Sequence, residues 1–488
     1  MQLDSRLRGN DIFAWFILFF KGLNLEKKKS KNILNKFKVA FVTIVMTMLV
    51  SIAHYSWAGA LTYRSALLDS INYTASLRVK SEDINISNAQ YRSNYAGMYP
   101  VINITGTAER YENLDNHNDS NLYSINNEVV GGSSSSWRSA FYLSGQYYFS
   151  HWYKKRHEVG YYEKLRDSSV HQCEIELKKM IKEVTEIFGA IVEGKIKLEY
   201  LDKILNRLSK IYIVKKEAFG VGQFSYEDVL KAESDAISME KEITKTRKEL
   251  DENLERLSNY TGKRYSIPNM EVVNLKISGL PSISGENSAV ERMPEYQAHR
   301  KEFEAVKTRE RAIANNYLPD ASVYARYDFY GSSPDGLDYA INDMRQSAYN
   351  VGLMISIPLF DGGVKKWQRR QSLYEIRKQE ESIRQVINEK NRDLKILRSG
   401  YAEVSKSFHH YKKLNDQYRK MIDISTKALS LGERSKLDIM ELEKDALAVE
   451  RDCKIMEHSV AVYEKQIALE LDYKNYVSEY NGDWACKY

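Results

Sequence analysis

The chain has 488 residues, 43% of them apolar and 28% charged, and a formal net charge of +6. That length suffices for two or three ordinary domains or one elongated one, and the composition supports a core under a solvated surface. Within residues 1–60, Arg6, Arg8, Lys21, Lys27, Lys28, Lys29, Lys31, Lys36 and Lys38 are set against only Asp4, Asp11 and Glu26, so residues 61–488 hold 63 basic and 63 acidic groups. A nucleic-acid binder carries its basic footprint in its working part, which excludes that class.

Residues 1–60 read as a leader with a signal peptide. Lys27 to Lys38 is a charged segment, Val39 to Ile52 is almost wholly apolar, and Ala58-Gly59-Ala60 offers a cleavage site, predicting a mature start near Leu61. The apolar run of about 14 residues falls short of the about 20 that span a bilayer as a helix. An earlier run, Ile12 to Phe20, fits no ordinary signal and places the start of translation downstream of Met1. None of Cys173, Cys453 and Cys486 follows the signal where lipid could be attached. Their odd number argues against a disulfide framework.

The first pair of strands is expected at about 100–111 and about 138–151. Ile102, Ile104, Gly106 and Ala108 share one face, as do Phe141, Leu143, Gly145, Tyr147 and Phe149. A helical hairpin follows at about 153–262. The second pair is expected at about 320–330 and about 347–359, where Ala321, Val323, Ala325, Tyr327 and Phe329 match Tyr349, Val351, Leu353, Ile355 and Ile357. A second hairpin follows at about 364–472. Strands of about ten alternating residues rich in aromatics carry the membrane-barrel pattern. Phe141, Leu143, Tyr147, Val351, Leu353 and Ile355 are the expected lipid-facing side chains. Asn113 to Ser136 and Gly331 to Asp343 read as exposed, mobile loops.

The hairpins are copies of one unit. Gly222, Ser225, Asp228 and Glu233 recur as Gly432, Ser435, Asp438 and Glu443 at an offset of 210. Behind each motif runs a seam at spacings of three and four. It comprises Val229, Ala232, Ala236, Met239, Ile243, Thr246, Leu250, Asn253 and Leu257 in the first copy. In the second it comprises Ile439, Leu442, Ala446, Val449, Cys453, Met456, Val460, Tyr463 and Ile467. Such seams predict coiled-coil packing. Residues 101–267 and 359–488 contain no proline, so long helices are permitted; Val364 to Ser430 as one helix would run about 100 Å. Gly222 and Gly432 suit left-handed helix ends, Ser225 and Ser435 suit N-caps, and Asp228 and Asp438 fall in the first turn beyond.

The expected organisation is therefore a leader (1–60), a first repeat (61–282), a second repeat (283–480) and a tail (481–488). The fold class is α+β: four strands per chain, shared between chains in a membrane β-barrel, continuous with a long helical coiled-coil barrel. Four strands cannot close a barrel alone, and open edges are forbidden in lipid, so several chains must pool theirs.

Asn350-Val-Gly-Leu-Met-Ile-Ser-Ile-Pro-Leu-Phe-Asp361-Gly362-Gly363 resembles the end of the second strand hairpin in the TolC family of outer-membrane efflux proteins. Tyr317-Leu318-Pro319 resembles that family's entry to its third strand, and Gly432 to Met440 its lower helical turn. The likeness runs in order over about residues 61–475, with departures at Phe149-Ser150-His151-Trp152, where Pro-Leu-Phe is common, and at Asn72-Tyr73, where Asn-Pro is. It implies a homotrimer with a twelve-stranded barrel in the lipid bilayer of a Gram-negative outer membrane and helices across the periplasm. It also implies a periplasmic adaptor (membrane fusion) protein and an inner-membrane pump or ABC transporter as partners. The role implied is passive exit of effluxed or secreted substrates. The tip residues Gly222, Ser225, Gly432 and Ser435 would meet the adaptor, and Asp228 and Arg434 match positions that link neighbouring hairpins and keep the mouth closed.

Asp438 and Glu441 share a helix face, and an oligomer would gather them into a ring of carboxylates at that mouth. No catalytic constellation, cofactor or metal site is expected. Gly220 to Ser225 follows a helical stretch, not a strand, so it is no phosphate loop. His409 and His410 point about 100° apart on a helix. Cys173 and Cys453 lie at depths that differ by roughly 40 Å, too far to pair. An exported trimeric stalk or adhesin is the alternative; duplicated strand hairpins argue against it, because a stalk needs one terminal anchor.

Overall fold

A computed structural model describes residues 61–111, 123–125, 128–130, 136–266, 275, 277, 279, 289–479 and 486, all within one contact unit. The expected leader, its cleavage site and most of the expected loop from Asn113 to Ser136 lie outside the described residues. Helices α1 (Tyr63–Tyr73) and α2 (Ala75–Ala96) lead into strands β1 (Val101–Tyr111), β2 (Tyr123–Ile125), β3 (Glu128–Val130) and β4 (Ser136–Tyr148). Then come α3 (Lys155–Gly220), α4 (Tyr226–Thr261), α5 (Pro294–Asn315), β5 (Asp320–Ser333), α6 (Leu337–Asn342) and β6 (Gln346–Ser356). Helices α7 (Val364–Ser430), α8 (Lys436–Leu471) and α9 (Tyr473–Glu479) complete the order. The two halves match in element lengths: α2 and α5 have 22 residues each, α3 and α7 have 66 and 67, and α4 and α8 have 36 each.

The helix ends follow from local chemistry. Gly222 and Gly432 both adopt φ 77°, a conformation that side chains disfavour, and Gln223 and Glu433 donate their N–H groups to Ala218 and Ala428 at 2.9 Å. Ser225 and Ser435 then cap α4 and α8 in reciprocal boxes with Asp228 and Asp438. Asp361 explains the Asp-Gly-Gly run that opens α7. Its carboxylate accepts from Gly363 N at 2.9 Å and Lys365 N at 3.0 Å, while Gly362 and Gly363 take positive φ to turn the chain.

Helix α3 is the hub. It packs against α4 and α2 on one side and α8 and α5 on the other, and α7 packs outside α8 and α5. Val184, Phe188 and Ile191 of α3, Leu250, Leu254 and Leu257 of α4, and Ile467 of α8 are fully buried. The α4 seam departs from its expected course: Leu254 is buried and Asn253 only half so. A straight helix drifts about 20° per heptad from a 3.5-residue repeat, which moves the contact on by one residue. In contrast, α7 buries only Ser372, Leu394 and Ser425, and Ile396 and Ile424 are more than 60% exposed.

Where α3, α5, α7 and α8 converge lies a buried ionic cluster. Lys178 Nζ, in a residue only 3% exposed, meets Glu295 at 2.9 Å and Glu470 at 2.6 Å, and Lys390 meets Glu295 at 3.3 Å. Burial alone would raise the Glu295 carboxyl, but Lys178 and Lys390 hold it below its ordinary value.

Two expectations are corrected. Cys173 and Cys486 form a disulfide, with Cα atoms 5.7 Å apart, that ties the tail to α3. An odd cysteine count did not preclude one pair, and 313 residues of separation hid it; Cys453 remains free and buried. The segment expected as a loop from Gly331 to Asp343 instead extends β5 to Ser333 and folds α6 against β4 and β5.

Replacing Lys178 with Met should strand Glu470 and cost about 3–5 kcal/mol, because breaking a buried pair leaves an uncompensated charge. Adding Glu470→Gln should recover much of that loss in denaturant unfolding of the detergent-solubilised protein.

Candidate functional site

The sheet runs β1-β4-β5-β6, antiparallel throughout. Directly opposed residues share a face, so the register defines rows across all four strands. One row is Ile102, Gly145, Ala325 and Val351; the next is Ile104, Leu143, Tyr327 and Tyr349. Phe141 opposes Phe329, and Tyr147, Val323 and Leu353 form a further row, with Ile355 opposite Ala321. All six side chains expected to face lipid therefore lie on one face. It is bare: Ile104, Leu353 and Ile355 are 78%, 77% and 70% exposed. The other face carries Asn103, Ser144, Arg326 and Asn350 in one row and Thr105, Tyr142 and Asp328 in another. β1 and β6 are the two outer strands, each with one side unpaired among the described residues.

At the base, Tyr147 accepts a hydrogen bond from Trp152 Nε1 at 2.8 Å on the apolar face. Lys154 pairs with Asp320 at 2.7 Å, Asn315 donates to Tyr153 O at 2.6 Å, and the Tyr153 hydroxyl donates to Pro319 O. These bonds join the start of α3 to the start of β5, so sheet and helices form one continuous wall.

At the far end of the helices the two hairpin tips present the polar residues singled out by sequence. Asp228 Oδ2 accepts from Ser225 N at 3.1 Å and from Ser225 Oγ at 2.6 Å. Asp438 Oδ2 accepts from Ser435 N at 3.1 Å. Arg434 Nη1 donates to Ser425 Oγ at 3.0 Å, so within one chain it is engaged inside its own hairpin and not with Asp228. Glu441 is not a bare carboxylate, because Lys215 of α3 meets it at 3.0 Å; Arg207 meets Glu443 at 3.1 Å one turn further in. Sequence reasoning missed Lys215 and Arg207. Lys215 lies seven residues before Gly222 and Glu441 nine after Gly432, so depth from the tip could have paired them. Beside the glycines, Val221 and Leu431 are each 74% exposed. Among the described residues no acidic, histidine and cysteine cluster could hold a metal ion, and no helix is long and apolar enough to cross a membrane.

Hydrogen bonds from the Ser225 side chain and backbone hold the Asp228 carboxyl below its ordinary 3.8. A depressed carboxylate stabilises above its ordinary pKa, and that contribution is lost as pH falls through the lowered value. Protection of the Ser225 amide against hydrogen exchange should therefore fall on acidification below 3.8. In Asp228→Ala the amide should be unprotected at every pH.

Residues 287–467 match the model of the outer membrane efflux protein family. No curated protein matches the chain. Among solved structures, the chain is similar to the CusC channel at 14% identity and TM-score 0.70, over 84% of this chain and 91% of that one. VceC from Vibrio cholerae aligns at 14% and 0.68, over 84% and 95%. The Campylobacter jejuni CmeC outer-membrane channel aligns at 13% and 0.68, over 86% and 89%. At such identities the likeness is one of fold. Residues 287–467 are thus similar to the outer membrane efflux protein family, and the chain as a whole has the fold of these outer-membrane channels.

Proposed function

We propose that the chain is the exit duct of a tripartite efflux pump or type I secretion system, through which substrates pass passively out of the periplasmic assembly. The observation that carries this reading is the sheet: one unbroken apolar face over four strands, with both edges open. Apolar rows of this height suit a barrel's lipid face, and unpaired edge groups in lipid require further strands. Three chains supply twelve strands, which favours a homotrimer. The exposed edge of α7, with Ile396 and Ile424, would then meet α2 and α4 of the next protomer.

The tips suit docking. Val221 and Leu431, held out by the Gly222 and Gly432 turns beside the Ser225 and Ser435 caps, offer apolar contacts to a periplasmic adaptor. An inner-membrane pump or ABC transporter would supply the energy. Asp228 and Arg434 would link neighbouring hairpins across the protomer boundary. Asp438, exposed at the tip, would form the carboxylate ring at the mouth, with Glu441 contributing less because Lys215 offsets its charge.

Purified protein in planar bilayers should give single channels of low conductance, blocked by a trivalent cation that bridges the ring. Asp438→Ala with Glu441→Ala should abolish block while conductance stays low, since focusing of cations depends on the ring. Arg434→Ser with Asp228→Ala should raise conductance while block persists. Absence of channels altogether would sink the duct reading.

A bilayer test of facing comes from the register. Leu353→Arg should cost about 2–4 kcal/mol near the midplane. Asn350→Arg, on the opposite face, should assemble as the parent does, with heat-modifiable gel migration as the readout.

A further inference from the structure

Helix α6 stands on the apolar face of the sheet. Two independent side-chain directions fix this. Ser139 Oγ donates to Ala340 O at 2.7 Å, and a Cβ at Gly331 would lie 2.3 Å from the same oxygen. Ser139 and Gly331 oppose each other, two residues beyond the Phe141–Phe329 pair and therefore on its face. Ser139 and Ala340 are buried in the contact, at 3% and 0% exposure, while Tyr339 and Ile341 project outward at 60% and 46%. A lid over the mouth would have to cover the other face, where Arg138 and Tyr330 lie at this level.

The height of α6 identifies what Tyr339 and Ile341 meet. The lower aromatics of this face, Phe149 and Trp152, sit just below β4, and Ser139 is ten residues above Phe149. At about 3.4 Å per residue and a tilt of about 40°, that span rises about 26 Å, against about 25 Å for the apolar band of a membrane barrel. Helix α6 is thus placed at the outer limit of that band, where Tyr and Trp prefer to lie. It packs on β4 and β5, the two inner strands, away from both open edges, so a second copy of the chain joined at an edge would not cover it.

We infer that α6 is an interfacial anchor: it rests on the outside of the barrel at the headgroup boundary of the external leaflet, with Tyr339 and Ile341 against lipid. This rests on the barrel reading above. The helix contributes to the upper aromatic girdle in place of longer strands. It leaves the mouth open and fixes how far the barrel protrudes from the membrane.

The test uses full-length protein in phosphatidylcholine vesicles, with an environment-sensitive fluorophore on Tyr339→Cys and unsubstituted protein as the control for Cys453. Emission should be blue-shifted, lost with lipids bearing a nitroxide near the headgroup, and protected from iodide. A label on Tyr330→Cys, at the same level on the opposite face, should be quenched by iodide and spared by the nitroxide lipids. If the Tyr339 label is quenched by iodide and spared by nitroxide lipid, while one on Leu353→Cys loses emission to lipids with a deep nitroxide, α6 stands in water and the inference is overturned with the barrel intact. If the Leu353 label also escapes lipid, the barrel reading falls and the inference with it.

Discussion

The unpaired backbone at the two edges of the sheet is the constraint on which the rest depends. β1 and β6 each leave one side of N–H and C=O groups without partners among the described residues, beside side chains such as Ile104 and Leu353 that water would not stabilise. In water such an edge invites aggregation, and in lipid each lost hydrogen bond costs several kcal/mol. Under the proposed duct reading, closure with further copies of the same sheet would answer both. The helical part carries the same signature. Its layer is built outward from α3, and it ends in α7, a helix of about 100 Å with almost nothing buried. Sheet edge and helix edge are thus unfinished together.

Such a thin wall has little core per residue, and it concentrates its specificity in a few places. Lys178, Glu295, Lys390 and Glu470 join four helices in one buried cluster. Buried ion pairs add little net stability, yet a displaced helix would leave a charge stranded, so the cluster penalises sliding of α7 and α8 along α3. The Cys173–Cys486 bond holds the tail on α3 and reduces the freedom of the unfolded chain. Lys154, Asp320, Tyr153 and Asn315 tie the sheet to the helices.

The tips show how one motif serves two ends. Ser225 with Asp228 and Ser435 with Asp438 are capping boxes first, and they hold α4 and α8 at sharp turns off α3 and α7. The Asp438 carboxylate stays exposed and that of Asp228 half-buried. Arg434 and Asp228 keep local partners in the single chain, so any link between them belongs to the assembled state.

Much of this was legible in the sequence, for definite reasons. Periods of two and of three to four residues report which side chains share a face, so the four strands, the two hairpins and the span Val364 to Ser430 followed from pattern and from the absence of proline. Glycine and serine at the tips announce their own backbone geometry, and the offset of 210 exposed the repeat. What lay beyond reach depends on distance in three dimensions. The sequence could not say that Cys486 returns to Cys173, or that four charges from four helices converge, because each pairing joins residues far apart in the chain. Nor could it fix the face on which α6 lies. Gly331 reads as a loop residue, and only the packed sheet reveals that its missing side chain makes room for the carbonyl of Ala340. Local chemistry determined the elements, and the tertiary structure decided which charges, sulfurs and edges they bring together.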